Sequence, residues 1–157
     1  MNAMQILGLQ FVMSLVVYGL CATWYVTPRL AAFPLAQALQ PLLLVHAFRH
    51  VGLVFLVPTV VGPALPREFA VPAAYGDLIA ALLALVAIVA LRAGWPLAPS
   101  LVWLFSVVGT LDLLIALARG IRLQVALGAA YYIPTFVVPA LLVTHAMIVA
   151  MLVRHPR

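Results

Sequence analysis

His46, Arg49 and His50 stand at i, i+3 and i+4 in an otherwise apolar stretch, a spacing that puts all three side chains on one face of a helix. Two imidazoles four residues apart are a metal-ligand spacing, and His145, far along the chain, is available as a third imidazole for zinc, copper or non-haem iron. The same residues suit a b-type haem, with His46 or His50 and His145 as axial ligands and Arg49 for a propionate. Asp77 and Asp112, two of the chain's three acidic residues, suggest different chemistry: two carboxylates brought together in low dielectric share a proton or hold a cation, because both cannot ionise cheaply. A purely structural reading competes with all of these. Arg49 would then satisfy Asp112 across a bundle, with the histidines hydrogen-bonded to backbone carbonyls or to Thr59, Thr110, Thr135 and Thr144.

What must position these residues follows from composition. Of 157 residues 68% are hydrophobic and 7% charged, against roughly half and a quarter in soluble domains. The expectation is an all-α, polytopic integral membrane bundle forming one domain over residues 1–157, with the lipid bilayer as its first partner. The net charge of +5 comes from eight arginines without a lysine, and no dense basic run exists to track a phosphate backbone, so nucleic acid is not an expected partner. Cys21 has no second cysteine to pair with and reads as a small buried hydrophobe.

A spanning helix needs about 20 apolar residues. About five are expected, over residues 4–26, 41–62, 74–93, 100–118 and 132–153, the first being a mature span rather than a cleaved signal. Residues 27–40 contain Pro28, Arg29 and Pro34 and read as an interfacial or re-entrant connector. Trp24, Tyr25, Tyr75, Trp95, Tyr131 and Tyr132 fall at span ends as interfacial belts.

Three spans cannot reach full length without taking in charge: the second includes His46, Arg49 and His50, the fourth Asp112, and the third Asp77 or Arg92. Such groups cost about 2.5–3.5 kcal/mol at the bilayer centre and so face the protein interior. Let A be the side of the N-terminus and B the opposite side. A rise of 1.5 Å per residue then puts His46, Arg49, His50 and His145 roughly 9–15 Å from B, and Asp77 and Asp112 roughly 5–9 Å from A. The expectation is therefore a histidine layer and a carboxylate layer, with His50 meeting His145 and Arg49 meeting Asp112.

Asp77, Ala80, Ala84 and Ala87, and likewise Gly109, Asp112 and Ala116, form small-residue faces on which helices approach closely, within the chain or between copies in a homo-oligomer or with a membrane partner subunit. Arginines divide four to three in favour of side B (Arg29, Arg92, Arg154, Arg157 against Arg67, Arg119, Arg122), which orients the N-terminus outside and the C-terminus in the cytoplasm. Three functional classes follow. The first is a membrane protein that binds or transports a proton, ion or small polar solute at a buried site of His46, Arg49, His50, Asp77, Asp112 and His145. The second is a haem- or metal-dependent redox protein or enzyme on His46, His50 and His145, and the third a structural accessory subunit.

Overall fold

The computed structural model describes residues 1–154, and within them the chain is helical without a strand. Five helices are long and apolar enough to cross a membrane: α1 (Ala3–Leu30), α2 (Leu35–Leu56), α3 (Arg67–Arg92), α4 (Ala98–Leu123) and α5 (Gly128–Arg154). Arg157, used in the orientation count, lies outside the described residues.

Helix α1 starts on a capping box in which Asn2 Oδ1 accepts from the Gln5 amide and Gln5 Oε1 accepts from the Asn2 amide, both at 2.9 Å. It continues through a wide turn over Ala22–Val26 into Thr27–Leu30. A matching wide turn occurs in α5 over Ile133–Val137. Each precedes a proline by two residues, Pro28 and Pro139. A proline ring presses on the carbonyl four residues back and brings no N–H for it, and a π-type turn accommodates that insult without ending the helix. The prolines near residue 27 therefore do not produce the expected connector: only residues 31–34 are non-helical there. Pro34 occupies the N-cap position of α2, and Pro41 lies inside that helix. Helix α2 is thus displaced toward the N-terminus relative to the expected 41–62, ending at Leu56 before Val57 and Pro58.

Helix α3 begins seven residues before the expected 74, because Pro66 caps its start and Pro72 is tolerated within it. Helix α4 runs through Gly120 to Leu123 and stops where Gln124 takes a left-handed conformation (φ 46°). Helix α3 is the central element, packed on α2 and α4, while α5 bridges α2 and α4 and α1 lies outside on α5. The small face of α3 makes this possible: Ala80, Ala84 and Ala87 have no exposed surface. Cys21, expected to be buried, is exposed on α1, whose first nineteen residues (Ala3–Cys21) bury none of their side chains. Helix α1 packs on the bundle chiefly through α5, which leaves most of its circumference uncovered.

Two apolar cores form, one toward each end. Leu39, Leu43, Ile88, Val102, Phe105 and Ile148 belong to the core at side B, and Phe55, Val61, Phe69, Ala73 and Leu127 to the core at side A. The polar residues lie between them.

Candidate functional site

Arg49 is the centre of the site. Its side chain is wholly buried and spans three helices: Nε donates to Asp77 Oδ1 on α3 at 2.8 Å, Nη2 to Asp112 Oδ2 on α4 at 2.5 Å, and Nη1 to the Gly109 carbonyl at 3.0 Å. The expected Arg49–Asp112 pair is present. Asp77, expected only in a layer with Asp112, joins it on the same guanidinium. The histidine and carboxylate layers are consequently one site, with Arg49 reaching from the first to the second. The carboxylates are largely buried, with side chains 13% and 20% exposed, and each keeps one oxygen, Asp77 Oδ2 and Asp112 Oδ1, outside the Arg49 hydrogen bonds.

Three glycines create the room. Asp77's carboxylate lies where a side chain at Gly52 of α2 would stand, and Asp112's where one at Gly76 of α3 would stand. A β-carbon on Gly109 of α4 would meet His145 Nε2 at 2.8 Å and Arg49 Nη1 at 3.0 Å. Each helix thus yields its own side chain so that a polar group of its neighbour can enter. Sequence reasoning missed this for Gly52 and Gly76, although Arg49-x-x-Gly52 and Gly109-x-x-Asp112 both pair a charge with a glycine one turn away.

Beside Arg49, His46 and His145 are in ring contact, with centroids 4.0 Å apart. Phe105 packs on both, at 5.0 Å from each. Thr144 Oγ1 lies 2.9 Å from the Ala140 carbonyl and 3.0 Å from His46 Nε2. His46 Nδ1, both nitrogens of His145 and Ser106 Oγ are buried without a hydrogen-bond partner among the described residues. Ser106 and Phe105 had no signal in the sequence beyond their place in an apolar helix.

His50 does not join. It is exposed, its Nδ1 2.9 Å from the carbonyl of Ala47, and the expected meeting of His50 and His145 is replaced by that of His46 and His145. The cause is a change of winding. From Phe48 onward α2 tightens to a 3₁₀ helix, and at 120° instead of 100° per residue His50 sits roughly 80° around the axis from His46 rather than roughly 40°. Arg49 stays within roughly 40° and remains inside.

The three-imidazole metal set is therefore not assembled, and among the described residues no group of three His, Cys, Asp or Glu side chains is placed to hold a metal. The haem arrangement fails on the same geometry. Two axial imidazoles need about 2 Å to the metal on each side, with a macrocycle between them, whereas the rings of His46 and His145 touch and Phe105 fills their flank.

Two cavities border the carboxylates. One, of about 70 Å³, runs from Asp77 and Asp112 toward side A and is lined there by Met4, Leu7, Phe55 and Phe69. The other, of about 140 Å³, is lined by Arg49, Gly52 and Asp77 and reaches the flank between α2 and α5 at the exposed Phe48, Val51 and Val137. No residue lining either belongs to the side-B core, which separates the site from that end.

Fold and site together define a five-helix bundle with a buried Arg–Asp–Asp triad at its centre and cavities on one side of it. The chain belongs to the family described as Domain of unknown function (DUF8737), which it matches over residues 6–153. No curated protein and no solved structure matches it.

Proposed function

We propose that the protein is a five-span integral membrane protein that binds and transports a proton or monovalent cation at Arg49, Asp77 and Asp112. One observation carries the reading: a single guanidinium lies between two carboxylates that both border cavities. With both carboxylates ionised, the triad keeps one uncompensated negative charge, which a low-dielectric interior tolerates only when a proton or cation accompanies it. Access is from side A and from the flank, and the side-B core is the closed gate. The irregular segments Phe48–Leu56 and Ile133–Val137 both line the cavities; such interruptions of α geometry are frequent at sites that move. The count of arginines near the ends supports an outside N-terminus.

The test is uptake of protons, sodium or potassium by liposomes containing the purified protein. The parent should support flux, and Asp77→Asn and Asp112→Asn should each reduce it at least tenfold while remaining folded. A structural accessory role is the second reading, favoured by the three hydrogen bonds that hold Arg49. Absence of flux in the parent, or unchanged flux in both variants, would select it.

A further inference from the structure

The cavity that ends on Asp77 and Asp112 is polar at that end alone: every other side chain lining it is apolar, among them Phe55, Phe69, Ala116 and Leu117. On this side the triad offers fewer oxygens than a hydrated metal ion needs, but enough for a proton or an organic cation. Metal ions require several oxygen ligands in place of their hydration shell, and here Asp77 and Asp112 alone bring side-chain oxygens to an otherwise hydrocarbon lining. It suits a molecule with a cationic hydrogen-bond donor at one end and hydrocarbon at the other. A primary ammonium has three donors for the carboxylates, and an alkyl tail removes apolar surface from water along the cavity. One positive charge matches the triad's one uncompensated negative charge. The volume, about 70 Å³, exceeds the roughly 10–15 Å³ needed for one water centre, enough for a short chain.

We propose that this cavity binds small amphiphilic primary amines, the ammonium on Asp77 and Asp112 and the alkyl tail directed toward side A between Phe55, Phe69 and Ala116. The proposal rests on the reading of the triad as a cation site and names its ligand class.

The experiment uses the purified full chain in detergent and follows the shift of Tm with added n-alkylammonium chlorides from methyl to hexyl. The controls are n-hexanol, which also partitions into detergent, hexanoate, and sodium and potassium chloride at equal ionic strength. Alkylammoniums should stabilise with affinity rising about fourfold per methylene until the cavity is filled, and hexylammonium should exceed hexanol and hexanoate at least tenfold. Ala116→Leu, which fills cavity space without changing the charge of the triad, should remove most of the dependence on chain length. Hexanol matching hexylammonium, no amine shift in the parent, or full hexylammonium affinity in a folded Ala116→Leu would each overturn the proposal. Cation flux that depends on Asp77 and Asp112, with no amine effect, would sink the amine site and leave the cation reading standing. Flux unchanged in both Asn variants would remove the cation reading itself.

Discussion

The carboxylate of Asp112 occupies the volume that a side chain on Gly76 would take, so the contact between α3 and α4 and the ion pair to Arg49 are one structural fact. Gly76→Ala should expel Asp112 from Arg49 and cost roughly 1–3 kcal/mol, the range for overpacking a close contact. Gly8 and Gly19 on α1 have open space around them, and Ala there should be neutral or stabilising by about 0.5–1 kcal/mol. Detergent melting of the three variants checks both statements, and equal losses at Gly76 and Gly19 would contradict the packing account.

Removing the arginine of the triad should be worse than neutralising all three residues. Arg49→Ala leaves two buried carboxylates without their cation and should destabilise by roughly 3–5 kcal/mol, whereas Asp112→Ala leaves Arg49 paired with Asp77 and should cost less. The triple variant Arg49→Met, Asp77→Asn, Asp112→Asn leaves no buried charge and should melt closer to the parent than Arg49→Ala does. Strictly additive losses would show that the three residues do not act as a unit.

The histidines should separate by burial. His50 is exposed, and His50→Gln should change stability by no more than about 0.5 kcal/mol. His145 is buried with both ring nitrogens unpartnered, and His145→Phe, which removes those groups and keeps ring contact with Phe105, should be neutral or stabilising. A loss above about 2 kcal/mol in His145→Phe would indicate a hydrogen-bonded role for that imidazole.

Cation binding should weaken as pH falls, because a proton and a cation compete for the same carboxylate oxygens and only the ionised form holds the cation. The groups facing Asp77 and Asp112 are Arg49 from α2 and each other across the α3–α4 contact, with His145 of α5 beside Arg49 at Gly109. Ammonium affinity measured from pH 8 to pH 5 should decline in the parent, with the decline absent in the double variant Asp77→Asn, Asp112→Asn carrying whatever binding remains. An affinity that rises toward pH 5 would contradict competition at the carboxylates.

Much of this architecture is written in composition and spacing. Apolar runs of spanning length are a local property, so the five helices could be read directly. Because Arg49 and Asp112 had to enter those runs, their pairing followed from the cost of leaving either alone. Helix ends were less legible, since a wide turn absorbs Pro28 and the helices continue through Pro41 and Pro72, and that depends on what packs nearby. Tertiary structure alone decided three things: Asp77 shares the guanidinium with Asp112, His46 rather than His50 meets His145, and Gly52, Gly76 and Gly109 open the space for all of them. The reason is physical. Spacing fixes which side chains share a face only while the winding is constant, and the change to a 3₁₀ helix at Phe48 rotates His50 out. Where a glycine meets a neighbour's carboxylate is set by the approach of two helices, which no single stretch of sequence encodes.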